Sequence, residues 1–184
     1  TLLANRNIMG LKTKSLTIAL AALATVTAVE AQPLKQAKKI SNVEITDLNN
    51  NPAKLPYFGE KNLLIFYVDP DKHKQNQAFT DDMEANHQVA SDNLYGFGII
   101  NLKDAPMFPN GLVRTIARKR TAKNGATILA DNNRILPKAW GLGDCNNQFV
   151  LMIVSKEGEL VYMHKGEMSQ ADIDEFYKFV EKYR

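Results

Sequence analysis

Residues 63–76 read LLIFYVDPDKHKQN. The apolar run, NLLIFYV over 62–68 when taken whole, stops at Asp69-Pro70 and gives way to a polar segment. Within that segment Phe79, Met83 and the Val89/Ala90 pair fall at helical spacing, with Asp81, Asp82 and Glu84 on the other faces. A short apolar run without alternation is the pattern of a strand covered on both sides. The stretch therefore predicts a central strand that feeds a helix laid across the sheet.

Working outward, NLYGFGIINL (93–102) predicts a further strand, in which Gly96 and Gly98 are expected to mark the close approach of another backbone. After Pro106 and Pro109, residues 110–125 predict a helix with Leu112, Val113, Ile116 and Ala117 on its inner side and Asn124-Gly125 as its end. ATILAD (126–131) predicts a strand, and RILPKAWGL (134–142) a short helical or irregular return limited by Pro137. FVLMIVSKEGELVYMH (149–164) is two apolar runs joined at Lys156-Glu157-Gly158, an antiparallel hairpin. Ser169, with Asp172 three residues on, caps a final helix striped by Ile173, Phe176, Val180 and Tyr183. Upstream, residues 40–55 predict a strand carrying Ile40, Val43 and Ile45 and then an Asp-Asn-Pro turn. This order is α/β, a mixed sheet flanked by helices with a C-terminal hairpin and helix.

The chain has 184 residues, 45% hydrophobic and 23% charged, which suits one globular domain. Most of its formal charge of +3 sits in residues 1–31, where Arg6, Lys12 and Lys14 face only Glu30. The remainder is close to neutral, so nucleic acid is not an expected partner. Residues 1–31 read as a few upstream residues before Met9 followed by a cleavable export signal. Lys12 and Lys14 precede the apolar SLTIALAALATVTAV (15–29), and Val29 and Ala31 frame a cut before Gln32. That run, interrupted by Thr17, Thr25 and Thr27, falls short of the roughly 20 apolar residues a membrane span takes. Gln32 stands where a lipid-anchored protein would need cysteine. The expectation is one domain over 32–184, in the periplasm, with no stable membrane anchor after cleavage. Its one cysteine, Cys145, allows no internal disulfide.

Several stretches resemble exported proteins of the thioredoxin-like fold: ITDLNNNPAKL before KNLLIFYV, ILADNNRILPKAWGL, and the terminal hairpin with its helix. NLKDAPMFPNGLVR, with Asp104-Ala105 and then Gly111, Val113 and Arg114, together with ADNNRILPKAW, is similar to the YtfJ-type family of periplasmic thioredoxin-like proteins in Gram-negative bacteria. The resemblance spans about residues 32–184. It implies a fold and a compartment but no biochemical role.

Thiol–disulfide exchange in this fold needs a low-pKa thiolate at the helix N-terminus that follows the central strand. Here that turn reads VDPDKHKQN, with Asp69 or Asp71 placed to cap the helix. The proline that would face the thiols, just before the hairpin, is replaced in CNNQFVL. Cys145 is the weak catalytic candidate; with Asp144 beside it and no neighbouring cation in sequence, it reads as an incidental free thiol. Asp69-x-Asp71-x-His73 opens like a calcium loop, but Lys74 and Thr80 occupy its glycine and glutamate positions. On one helix His73 and His87 would stand about 21 Å apart, so neither metal nor other cofactor is expected. The basic run Arg114, Arg118, Lys119, Arg120 and Lys123 reads as the solvated side of a helix, and Trp140 as packing. These readings point to a binding or accessory module without redox activity. Its candidate binding face is Asp69, Asp71, Lys72, His73, Asp144, Asn146 and Asn147, directed at a periplasmic protein or peptide. The alternatives are a one-cysteine thiol enzyme acting through Cys145, or a small-molecule carrier, which would require an apolar pocket.

Overall fold

A computed structural model describes residues 33–86, 89–105 and 109–184. The expected export signal, Pro106 and His87 lie outside the described residues. The strands are β1 (Pro33–Lys39), β2 (Glu44–Thr46), β3 (Pro52–Lys54), β4 (Asn62–Val68), β5 (Leu94–Asn101), β6 (Ile128–Asp131), β7 (Phe149–Ser155) and β8 (Glu159–Lys165). The helices among the described residues are α1 (Gln77–Asn86), α2 (Asn110–Asn124), α3 (Ile135–Trp140) and α4 (Gln170–Val180), with a 3-10 turn at Pro70–Lys72. The strands form one sheet in the order β1-β8-β7-β4-β5-β6-β2-β3. β4, β5 and β6 run parallel, and every other pairing is antiparallel.

β4 lies between β7 and β5, and its side chains alternate between two cores. Leu63, Ile65 and Tyr67 join Val150, Met152 and Val154 of β7 on one face, under Leu136 and Trp140 of α3. Leu64, Phe66 and Val68 join Leu151 and Ile153 on the other, with Phe79 and Met83 of α1 and Phe176 and Val180 of α4. Burial on both faces is what the unbroken apolar sequence required. Trp140 is enclosed as expected, and its indole Nε1 donates to the Ser41 carbonyl at 2.9 Å. The capping box of Ser169 and Asp172 opens α4 as the sequence predicted. Among the described residues no helix is long and apolar enough to cross a membrane.

Three differences from the sequence reading have physical causes. β1, polar and without alternation, pairs only with β8 and is an edge strand carried by backbone hydrogen bonds. β3 completes a hairpin with β2 around Asp47, whose carboxylate accepts from the Asn49 and Asn51 backbone N–H groups at 2.8 Å each. The largest difference is the rotation of α2. Val113 is half-buried and Ala117 buried, but Leu112 and Ile116 are 50% and 59% exposed, and Arg114 is buried instead.

Arg114 sets that rotation. Its guanidinium donates to the Asp47 carbonyl (2.6 Å), Thr46 Oγ1 (3.1 Å), Asn50 Oδ1 (3.2 Å) and Asn132 Oδ1 (2.8 Å). A fork of donors meeting four oxygens outweighs the burial of two aliphatic side chains. Arg118 reinforces the join by donating to the Leu48 carbonyl at 2.7 Å, so part of the basic run is a staple rather than a solvated face. Arg114→Ala removes four hydrogen bonds, leaving Thr46 and Asn50 only the Asn132 amide as donor, and we expect it to destabilise the fold by about 2–3 kcal/mol in urea unfolding. Arg114→Lys should recover only part of the loss; a loss within experimental error would remove Arg114 from this role.

Candidate functional site

The parallel strands finish at one end of the sheet, and each finishes at a polar side chain: Asp69 just beyond β4, Asn101 closing β5 and Asp131 closing β6. All three are fully buried. Asp131 organises the turn into α3. Its Oδ1 accepts from the backbone N–H groups of Asn133 (3.1 Å) and Ile135 (2.8 Å), and its Oδ2 from Leu136 N–H (3.0 Å) and the Tyr67 hydroxyl (3.3 Å). Enclosure, with Asp131 beside it, drives the Tyr67 hydroxyl far above the ordinary range, so Tyr67 stays a neutral donor.

Asp69 joins two loops. One carboxylate oxygen accepts from Asp71 N–H at 2.9 Å and opens the 3-10 turn; the other accepts from Asn147 N–H at 2.8 Å, in the loop before β7. Gln75 Oε1 accepts from Phe149 N–H at 2.8 Å, and Asn76 holds the loop after β8 through Gly166 and Met168. The turn after β4 is thus fastened to both loops that flank the terminal hairpin. Burial pushes the Asp69 carboxyl upward against the pull of those two N–H donors.

Beside this tether a cavity of about 440 Å³ lies between Asp104, Arg134, Pro137 and Lys138 on one side and Gly143–Asn146 on the other. Arg134 holds the buried Asp104 through Nε (2.7 Å) and Nη2, and Asn101 Nδ2 adds a donor at 2.8 Å. The Arg134 guanidinium keeps the Asp104 carboxyl below the usual range. Cys145 borders the cavity but is only 3% exposed. Burial pushes its thiol upward, opposed by Lys165 and assisted by Asp144. Lys165 is the cation the sequence did not reveal: it reaches from β8, and its Nζ donates to the carbonyls of Leu142 and Asp144.

The expected binding face is divided by this geometry. Asp144, Cys145 and Asn146 border the 440 Å³ cavity, with Asn147 exposed alongside. Asp69 is 0% exposed and acts as a tether, so it cannot present itself to a partner. Asp71 is half-buried, while Lys72 and His73 are exposed; His73 borders a different, larger cavity on the α1–α2 face. His73 also lies outside α1, so the expected single helix from His73 to His87 is interrupted. Among the described residues no group of three or more His, Cys, Asp or Glu side chains could hold a metal ion. Asp104, Arg134 and Tyr67 were missed as site residues. The one signal available for Asp131 was an acid closing a strand before Asn-Asn, the pattern of a cap.

Over residues 69–183 the sequence matches the family described as "Bacterial protein of unknown function (YtfJ_HI0045)". The chain belongs to this YtfJ family. No curated protein sequence matches it. Among solved structures it is similar to the pneumococcal exposed lipoprotein thioredoxin Etrx1 of Streptococcus pneumoniae, with a TM-score of 0.58 at 15% identity over 77% of this chain and 99% of that one. A DsbF homologue from Corynebacterium diphtheriae gives 0.58 at 13% identity, covering 81% and 90%. A putative thiol:disulfide interchange protein DsbE from Chlorobium tepidum gives 0.57 at 14% identity, covering 82% and 98%. At these identities the likeness establishes the architecture, which is thioredoxin-like.

The two buried carboxyls respond oppositely to pH. Asp104, lowered by Arg134, contributes stability above its ordinary value of 3.8 and loses it as pH falls through the lower native value. Asp69, raised by burial, contributes fully below 3.8 and loses that contribution as pH rises through the higher native value. Arg134→Ala should therefore cost most at neutral pH, with its deficit narrowing below pH 3.8. The neutral isostere Asp69→Asn should gain on the wild type as pH rises from acid toward neutral. Unfolding midpoints across pH check both, and parallel curves for either variant would reject its assignment.

Proposed function

We propose that this protein works in the periplasm as a thioredoxin-fold binding or accessory module that does not exchange disulfides. The observation that carries the reading is the chemistry of the turn after β4. A buried carboxylate, Asp69, takes the backbone donors at the position where an exchanging enzyme of this architecture needs an accessible thiolate. The one thiol, Cys145, is enclosed, and burial disfavours its thiolate. Export is supported by the pattern of residues 1–31, and the similar fold of Etrx1 belongs to a protein described as an exposed lipoprotein. The binding surface is the mouth of the 440 Å³ cavity, where Arg134, Asp144 and Asn146 offer charge and hydrogen bonds to a peptide segment.

One observation favours a second reading. Lys165 lies close enough to Cys145 to oppose the effect of burial, as an activating cation would. Alkylation separates the two. For the binding module, Cys145 in the folded protein reacts slowly at neutral pH and at the rate of an ordinary thiol once unfolded. The purified protein reduces neither insulin nor peroxide, and Cys145→Ser changes no phenotype. Measurable turnover in either assay, or rapid alkylation at mildly acid pH, would transfer the function to Cys145. Export has its own check: the N-terminus of protein recovered from the periplasm should begin at Gln32.

A further inference from the structure

The face of the sheet shared by α1 and α2 holds a cavity of about 700 Å³, within the range of small-molecule sites. Its floor is Leu64, Phe66 and Val68 of β4, Ile128 of β6 and, between them, Gly96 and Gly98 of β5. The sequence led us to expect that these glycines admit another backbone; they do not. A Cβ built on Gly96 would meet nothing closer than the Leu64 carbonyl at 4.0 Å, and one on Gly98 nothing closer than Ile128 Cγ1 at 3.8 Å. Neither has the positive φ that calls for glycine. Two glycines in a strand interior weaken it and here relieve no clash. What they provide is empty volume under the helices.

The lining identifies the occupant. The floor is hydrocarbon, and the β5 backbone is committed to the ladders with β4 and β6, so an extended peptide laid there would leave its own N–H and C=O groups unpaired. Glu84 of α1 and Arg120 of α2, joined at 3.0 Å between exposed side chains, both border the cavity. An aliphatic tail has no backbone groups to satisfy. From Leu64 to Val68 the trough runs about 13 Å along the strand direction. At the end where the strands finish, exposed His73 and Gln77 border it, and exposed Lys72 and Lys74 flank His73 with no ion pair among the described residues. At the other helix, exposed Ile116 extends the apolar rim.

We propose that this cavity binds a single-chain anionic amphiphile, its aliphatic tail lying over Gly96 and Gly98 and its carboxylate at Lys72 and Lys74. The site is separate from the Cys145 cavity, and the proposal goes beyond the function given above. Calorimetric titration of the purified protein with dodecanoate and with dodecan-1-ol tests it. One-to-one saturable binding of dodecanoate is expected. Gly98→Val, which fills the floor with a strand-forming side chain, should weaken binding by about tenfold or more without lowering the melting temperature. Ile116→Glu, at an exposed rim position, should also weaken it and serves if the glycine variant does not fold. The pair Lys72→Glu and Lys74→Glu should weaken dodecanoate while leaving dodecan-1-ol unchanged. Absence of saturable binding overturns the proposal, as does full affinity in both the Gly98 and Ile116 variants, or displacement of dodecanoate by an amphipathic peptide. Equal effects of the lysine changes on acid and alcohol overturn the headgroup assignment.

Discussion

A carboxylate buried at the end of the central strand holds the loops at that end of the sheet together. Asp69 accepts one backbone N–H from the turn it opens and a second from the loop that leads into β7. Two loops far apart in sequence are thereby held at one distance. Enclosing a negative charge is costly unless donors converge on it, and here they are amides fixed by the backbone. In a disulfide-exchanging protein of this architecture the same location has to remain open, because a thiolate acts only if a partner's sulfur reaches it. Closing the turn over Asp69 makes this end of the sheet rigid.

The two faces of the sheet are used differently. On the α3 side the residues pack closely, with Trp140 and Tyr67 enclosed, and the strand ends are tied by Asp131 and by the Asp104–Arg134 pair. On the α1–α2 side the packing is incomplete: two glycines leave a trough, and Arg114 turns α2 so that Ile116 is exposed. An open apolar recess of this size costs stability that a closed core would have supplied. The binding of an amphiphile proposed above would offset that cost.

Much of the architecture was legible because it rests on local signals. The unbroken apolar run of β4, the glycine turn of the terminal hairpin and the Ser169–Asp172 cap each express one dominant physical cause, and each element appears where that cause places it. The misreadings share a different origin. The rotation of α2 depends on oxygens donated by residues 46–50 and by Asn132, which no helical periodicity encodes. The cation near Cys145 comes from β8, twenty positions away in sequence and adjacent only after folding. Gly96 and Gly98 were visible as anomalies in a strand, but whether a strand glycine admits a neighbour or leaves a void depends on what lies above it. The site residues Asp69 and Asp144–Asn147 were brought to one end by topology, while the division between tether, cavity wall and exposed rim required side-chain geometry.

The account turns on Asp69 being an enclosed, doubly bonded carboxylate. Carbon-13 NMR of its carboxyl group, followed across pH together with hydrogen exchange of the Asn147 amide, measures this directly. A carboxyl midpoint above 3.8 and a protected Asn147 amide whose protection is no weaker once Asp69 has taken up its proton, and declines as pH rises through that midpoint, are the predicted result. A midpoint at or below 3.8, with the Asn147 amide exchanging as fast as an open loop, would contradict it.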